Sequence, residues 1–159
     1  MDYLHTELRD SAYYVDLSQE IVGTTRAGGP IYDYSNGRDN FMLTNSSFKP
    51  KTDMLSVLLF KDFDNGFDLT LGYAYTDAQD VSPMTSSTAG SNFDNVALLD
   101  LNNPRPGTSN YEVPHRFTMQ ARYAKAFFGD YQTRFTLRGY SSEGQHGTYV
   151  MESSDLEGD

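Results

Sequence analysis

Length and composition limit what this chain can be. Its 159 residues suit one domain, and 38% hydrophobic with 14% aromatic residues is enough apolar material for a core. The formal net charge of -10 argues against a nucleic-acid partner, because phosphate binding needs a concentrated basic surface. The lack of Cys excludes disulfide frameworks, thiolate metal sites and Cys nucleophiles.

No apolar run approaches the roughly 18 residues of a membrane-spanning helix. The first residues, MDYLHTELRD, also lack the basic and then apolar order of a signal peptide. A helical membrane protein is therefore excluded on the pattern. A membrane strand needs only about 9 to 11 alternating residues and leaves hydropathy low, which agrees with the mean hydropathy of -0.58.

The N-terminal third carries the weakest periodicity. Residues 3–18, YLHTELRDSAYYVDLS, are predicted to be extended, and residues 18–40, which contain RAGGP and SNG, are predicted to form a long loop. A clear strand follows over 53–63, in which Leu55, Val57, Leu59 and Phe63 share one parity and Lys61 interrupts it.

The sequence DNG at 64–66 predicts a hairpin turn, because Asn and Gly accept positive φ at low cost. The returning strand, 67–80, has bulky groups at every second position: Phe67, Leu69, Leu71, Tyr73 and Tyr75. Residues 81–113 are rich in Ser, Asn, Gly and Pro and are predicted to form a second long loop.

Two further strands complete the pattern, over 115–128 and 131–141, joined by a tight turn at 129–130. The predicted fold class is all-β, an antiparallel meander. Successive connections of a meander alternate ends, so both short turns would lie at one end of the sheet and the long loops at the other. Short periplasmic turns and long external loops are the asymmetry of an outer-membrane barrel.

Aromatic residues flank both short turns and would gather in one band, as an interfacial girdle requires; they are Phe63, Phe67, Phe127, Phe128 and Tyr131. The bulky positions would face lipid: Leu55, Val57, Leu59, Leu69, Leu71, Tyr73, Phe117, Met119, Phe135 and Leu137. The opposite face carries the candidate ligand-binding residues, Arg116, Arg122, Arg134 and Arg138, which suit a wet lumen or plain solvent equally.

Two long segments of the chain resemble a known family. The segments KDFDNGFDLTLGYAYTDAQDVSPMTSSTAGSNFDN and LNNPRPGTSNYEVPHRFTMQARYAKAFFGDYQTRFTLRGYSSEGQ are similar to the C-terminal barrel region of TonB-dependent outer-membrane receptors of the Oar-like group. The similarity runs from about Tyr3 to Val150 and depends on the order of its pieces: strand, DNG turn, YAYTDAQD, Ser-rich loop, then PHRF.

The resemblance implies a segment of a roughly 22-stranded barrel through which a ligand is imported. Such receptors also carry a plug, a TonB-contacting segment and a carboxypeptidase-regulatory-like domain, which this sequence does not contain. Residues 1–159 are therefore expected to be a partial β-barrel domain, located in the Gram-negative outer membrane. The implied partners are outer-membrane lipid, the remaining strands and plug of a parent chain, and, through the absent part, the TonB complex.

Catalytic and metal chemistry find little support. DFDNG at 62–66 is one residue short of a calcium-loop spacing, and the acids Asp77, Asp80, Asp94 and Asp100 are expected to be solvated loop charges. The three histidines, His5, His115 and His146, have no metal-like spacing, and no Ser, His and acid are placed to form a triad. We expect no enzyme activity, cofactor or metal.

A second class of protein fits the same alternation of bulky and polar side chains along the strands. In a soluble β-sandwich, such as an adhesin or carbohydrate-binding module, the bulky face would pack on another sheet. Tyr111, Tyr140 and the loop acids would then be the candidate contacts, because aromatic faces and polar loop groups suit sugar-like ligands.

Overall fold

The computed structural model describes residues 1–26, 28–33 and 39–148. Apart from one short helix, the regular structure of these residues consists of strands: β1 (Asp2–Glu7), β2 (Ala12–Asp16), β3 (Glu20–Thr24), β4 (Pro30–Asp33), β5 (Phe41–Asn45), β6 (Lys51–Phe63), β7 (Phe67–Asp80), β8 (Gly107–Thr108), β9 (His115–Phe128) and β10 (Tyr131–Ser142). The helix is α1 (Ala89–Asp94). The prediction of an all-β antiparallel fold is confirmed.

The chain divides into two compact units. Unit 1 comprises Met1–Thr6, Thr52–Ala78 and Tyr111–Gln145. Unit 2 comprises Glu7–Lys51, Gln79–Asn110 and the described residues from His146 onward.

Unit 1 is a sheet with the strand order β1-β6-β7-β9-β10. The four long strands fall where the alternating pattern predicts them, because a period of two runs through most of each strand. β7 and β9 have the predicted bounds, β6 begins two residues earlier than predicted and β10 ends one residue later. The described strands do not close into a barrel, and β1 and β10 form the two edges of the sheet.

The cross-strand register brings all the predicted lipid-facing residues onto one face. Leu59 is opposite Leu71 on β7, and Leu71 is opposite Met119 on β9. One row over, Val57, Tyr73 and Phe117 are aligned in the same way. We call this side the apolar face, defined by Leu55, Val57, Leu59, Leu69, Leu71, Tyr73, Phe117, Met119, Phe135 and Leu137. The other side is the polar face.

The apolar face lies open. Leu59 is 58% exposed, Phe117 53% and Leu137 62%. Among the described residues, the buried hydrophobic side chains are Val81 and Phe93, and both belong to unit 2. The sheet of unit 1 therefore lacks the packed second layer that a soluble sandwich uses to cover its bulky side chains.

Strand β6 departs from strict alternation. Leu58 and Phe60 lie on the polar face and are also exposed. On β7 the same face carries Asp68, Thr70 and Gly72. The small and polar character of this face therefore begins at β7 and extends through β9 and β10.

The two predicted long loops contain regular secondary structure, so both loop predictions are corrected. Residues 18–40 contain β3 and β4, which pair as a two-stranded sheet, and residues 81–113 contain α1 and β8. These elements have two to six residues, too few for a period of two or 3.6 to emerge from a sequence. Positions 27 and 34–38 of the first predicted loop, which include the SNG sequence, lie outside the described residues, as does Val150 at the end of the family resemblance.

The predicted extended stretch 3–18 forms two strands, β1 and β2, in place of one. Between them, the Leu8 amide donates to the Pro50 carbonyl and the Ser46 amide donates to the Ser11 carbonyl. Strand β2 pairs with β5, for which the sequence carried no prediction. The change of partner between β1 and β2 depends on segments some 25 to 50 residues away, so local pattern does not reveal it.

A buried polar cluster stabilises unit 2. The Asp16 carboxylate is 3% exposed and accepts hydrogen bonds from the Ser18 amide at 2.9 Å and the Ser18 hydroxyl at 2.5 Å. The Asn102 side chain accepts from the Asp16 amide at 2.7 Å and donates to the Asp16 carbonyl at 3.0 Å, as a neighbouring strand would. Burial by itself raises the pKa of Asp16, but the hydrogen bonds from Ser18 and the Asn40 amide outweigh it, and the pKa lies below its ordinary value.

Candidate functional site

The four arginines predicted to share a face do share it. Arg116 and Arg122 lie on β9 and Arg134 and Arg138 on β10, all on the polar face. Arg122, Arg134 and Arg138 border one depression together with Gln120 and Thr136. Arg116 is opposite Ser142, towards the other end of the sheet, and does not border that depression. The structure therefore brings three of the four candidates together.

Asp68 is a member of this site that sequence reasoning did not single out. The Arg122 guanidinium donates through Nε to Asp68 Oδ1 at 3.1 Å. Asp68 is opposite Arg122 across the β7–β9 pair, and opposite charges at such positions attract one another. The 54 residues between them hide the pair from any local motif, and only the strand register reveals it.

The aromatic residues predicted to form a band do gather at one end of the sheet. Phe63 is opposite Phe67 with ring centroids 5.6 Å apart, and Tyr131 is opposite Phe128. The Ala124 amide donates to the Gly66 carbonyl, which ties the β6–β7 turn to the last part of β9. Both short turns therefore lie at the same end, as the meander argument predicted.

Two lysines lie beside this band on the same side of the sheet as the apolar face. The Lys61 ammonium is 5.6 Å from the Phe63 ring centroid and the Lys125 ammonium is 5.8 Å from that of Phe127. The strand register puts Lys61 opposite Leu69 and Lys125 opposite Thr133. Lysine stems can lie along apolar surface while the ammonium reaches a polar layer, so the interruption at Lys61 falls where the apolar face meets the aromatic band.

A second aromatic group lies at the other end of the apolar face. The Tyr73 hydroxyl is 2.9 Å from His115 Nδ1, and the rings of Tyr73 and Phe117 are 4.8 Å apart between centroids. Tyr75 also contacts His115, and the His115 ring lies 3.9 Å from a Glu143 carboxylate oxygen. His115 thus lies at the end of the sheet where β9 begins, in contact with two tyrosines.

The other candidate residues form no common site. The DFDNG sequence forms the hairpin turn that joins β6 and β7, and the Asn65 side chain accepts from the Phe67 amide. Asp100 accepts from the Tyr32 hydroxyl and from the amides of Asn102 and Asn103. Within the described residues, no group of three or more His, Asp or Glu side chains is placed to share a metal ion.

The remaining residues that the sequence analysis considered lie apart from one another. His5 lies 2.7 Å from Asp53, which also accepts from the Tyr3 hydroxyl. Tyr111 and Tyr140 are both exposed, and Tyr140 lies on the polar face opposite Thr118.

The chain matches no known protein-family model, no curated protein and no solved structure. Within the described ranges, no helix has the length and apolar character required to cross a membrane.

Proposed function

We propose that unit 1 is part of the wall of a transmembrane β-barrel, in an outer-membrane receptor of the TonB-dependent type that imports a ligand. Further strands, with a plug, would complete the barrel, and the TonB complex would supply energy through parts of the receptor other than these residues. The proposal assigns transport and no catalysis to this chain.

One observation carries the proposal: a continuous apolar face that spans β6, β7, β9 and β10 is exposed while its unit has no buried hydrophobic side chain among the described residues. An exposed apolar patch of several strands is unstable in water and marks a surface that something covers. Hydrocarbon is a suitable environment for such a face. The inner strands β6, β7 and β9 already pair on both sides within the sheet, as a membrane interior demands of backbone groups.

The height of the apolar face is close to that of the lipid-facing band of outer-membrane barrels, which supports contact with lipid. From Phe67 in the turn band to Tyr75 in the second aromatic group, β7 advances eight residues, or about 27 Å at about 3.4 Å each. With a strand tilt of roughly 40°, this becomes about 21 Å along the membrane normal, close to the roughly 25 Å apolar band of outer-membrane barrels. Aromatic residues at both limits, with Lys61 and Lys125 at one of them, suit two interfaces with headgroups.

In this arrangement the polar face borders a wet lumen. Its arginines, Gln120 and threonines meet water or the passing ligand, and the small side chains of β7 leave room above the sheet. Residues 18–40 and 81–113 would gate or capture the ligand, as long loops at one rim of a receptor do. All but residues 111–113 of these segments belong to unit 2, which has its own small buried core.

Adjacent residues of β7 provide the test. Leu71 lies at the centre of the apolar face and Thr70 lies on the polar face. In vesicles of a neutral phospholipid, Leu71→Arg should weaken folding and insertion by about 2 to 4 kcal/mol, the cost of arginine near a bilayer midplane. Thr70→Arg introduces the same charge one residue away and should cost under about 1 kcal/mol. Insertion is measured by vesicle flotation and far-UV circular dichroism.

Equal effects of the two substitutions would contradict a lipid-facing sheet. So would a wild-type chain that ignores vesicles and is monomeric in detergent-free buffer with a cooperative melt, since that behaviour belongs to the soluble β-sandwich module.

A further inference from the structure

The polar face carries a basic depression, and the proposed transport role does not specify which ligand it binds. Its volume is about 330 Å³ and it is lined by Gln120, Arg122, Arg134, Thr136 and Arg138. All five side chains come from the paired strands β9 and β10, so a rigid hydrogen-bonded ladder sets their spacing.

The register fixes how the three guanidinium groups are arranged. Arg122 is opposite Thr136, so Arg134 and Arg138 lie on the two diagonals from Arg122. Diagonal neighbours of an antiparallel pair are about 7 to 8 Å apart at the backbone. The Thr136 hydroxyl lies between the two arginines of β10 along the strand and adds a neutral donor.

The positive charge of the depression is only partly compensated. Asp68 accepts from Arg122, and Asp62 is opposite Asp68 on β6. Arg138 donates from Nε to the neutral Gln120 side chain at 3.0 Å, which orients the guanidinium without cancelling its charge. In the part of the chain that the structure describes, no carboxylate lies within 4.0 Å of Arg134 or Arg138.

Arginine is suited to one class of ligand. Its planar fork pairs with the two oxygens of a carboxylate or phosphate, and such charge-assisted bonds are roughly twice as strong as neutral ones. Arg122 lies about 7 to 8 Å at the backbone from each arginine of β10, and those two arginines are about 14 Å apart along the strand. Three guanidinium groups around one depression fit more than one anionic group. The chain has a net charge of -10, so most of its surface repels anions. Basic residues concentrated on one face attract anions to that face.

We infer that the depression binds a small ligand with at least two anionic oxygen groups, carboxylate or phosphate. This inference rests on the proposed function in one respect, because a transported ligand would meet this face of the sheet. The anionic groups occupy the forks of Arg134 and Arg138, with Arg122 and the Thr136 hydroxyl completing the site. Gln120 acts as a positioning residue for Arg138.

The test uses the full chain in nonionic detergent micelles at low salt, titrated with citrate and, separately, with pyrophosphate. Binding is followed by calorimetry and by the side-chain NMR signals of the arginines. Wild-type protein should bind at least one probe and shift the signals of Arg134 and Arg138. Arg134→Gln and Arg138→Gln should each weaken binding about tenfold or more, the effect of losing a charge-assisted hydrogen bond.

Arg116→Gln is the matched control. It removes the same charge from the same face, but Arg116 does not border the depression, and the substitution should change the affinity less than about twofold. Arg138→Lys keeps the charge and loses the fork, so its affinity should lie between those of wild type and Arg138→Gln. Both arginines of β10 are exposed, so their replacement leaves the strand pairing intact, which circular dichroism verifies.

Absence of binding by wild type to both probes overturns the inference, and so does an equal loss in Arg116→Gln and Arg138→Gln, which would show a diffuse charge effect. Citrate and pyrophosphate together separate carboxylate from phosphate recognition. The vesicle experiment on Leu71 and Thr70 is independent: insertion without anion binding refutes only the present inference, and anion binding without insertion refutes only the proposed function.

Discussion

Two glycines with positive φ close the two hairpins of unit 1, and their surroundings differ. Gly66 has φ 81 and Gly129 has φ 59. A Cβ at Gly66 would fall well inside the contact distance of the Ala124 carbonyl oxygen, whereas a Cβ at Gly129 would meet nothing within 4 Å. Both turns need a residue that tolerates the left-handed region, but only the first also needs the absence of a side chain.

Replacing each glycine by alanine separates these two requirements. Gly129→Ala should lower the free energy of unfolding by about 1 to 2 kcal/mol, the cost of left-handed backbone for an L-residue. Gly66→Ala adds a clash with backbone and should cost about 3 kcal/mol or more. Urea titration in micelles, followed by tyrosine fluorescence, measures both. A smaller cost for Gly66→Ala than for Gly129→Ala would contradict the close approach of the first turn to β9.

Asp16 makes the stability of unit 2 sensitive to acid. Its pKa is lower in the folded chain than in the unfolded chain, so its carboxylate contributes stability above the ordinary pKa of about 4. That contribution is lost as the pH falls through the lower folded-state pKa. Asp16→Asn should cost about 1 to 2 kcal/mol at pH 6 and progressively less towards pH 2. Denaturant titrations at several pH values measure this difference, and a constant gap between wild type and variant would contradict it.

At the scale of elements, the short helix α1 is held by side chains and not by its own length. Phe93 is 3% exposed and its ring lies 5.3 Å from that of Phe41 on β5. The Asn92 side chain accepts from the Ser86 amide and donates to the Ser86 and Thr88 carbonyls. A helix of six residues is marginal by itself, so these contacts decide that it forms.

Phe93→Ala should therefore lower the free energy of unfolding of unit 2 by about 3 to 5 kcal/mol, as loss of a buried Phe generally does. Leu17→Ala is a control in the same unit, because Leu17 is 57% exposed, and it should change stability by less than about 0.5 kcal/mol. Thermal and denaturant unfolding followed by circular dichroism compares the two. Similar costs would show that Phe93 does not anchor the helix.

The exposed surface of unit 1 bears on how the whole molecule behaves in solution, because its sheet has an open apolar face and, among the described strands, two open edges. The outer edges of β1 and β10 are covered by no other described strand, and unpaired edges template association with other chains. The apolar face adds a second drive towards association. A detergent or membrane would cover the face, and further strands would cover the edges.

Removal of detergent should therefore produce species larger than the 17.9 kDa monomer, seen by size-exclusion chromatography with light scattering. Nonionic detergent should restore a single protein chain per micelle. A triple variant, Leu59→Ser, Leu71→Ser and Phe117→Ser, should associate less if the apolar face dominates and equally if the edges dominate. A wild-type chain that is monomeric without detergent would contradict the prediction.

Local pattern was enough to predict the four long strands, their two short turns and, on β7, β9 and β10, the division into a bulky and a polar side. A period of two that persists through ten residues is a local property of the backbone, since successive side chains must point to opposite faces. Leu69, Leu71 and Tyr73 therefore revealed their common side without any knowledge of their neighbours. The same holds for DNG at 64–66, whose turn chemistry lies within three residues.

Which distant segments pair with one another became visible only in the folded chain. The pairing of Arg122 with Asp68, the hydrogen bond from Arg138 to Gln120, and the anchoring of α1 by Phe41 join residues from 18 to more than 50 positions apart. Strand register sets the first two, and a shift of one residue would move each of them to the opposite face. Such contacts are properties of the assembled sheet, whose hydrogen-bond ladder brings distant segments together, and no local stretch of chain encodes them.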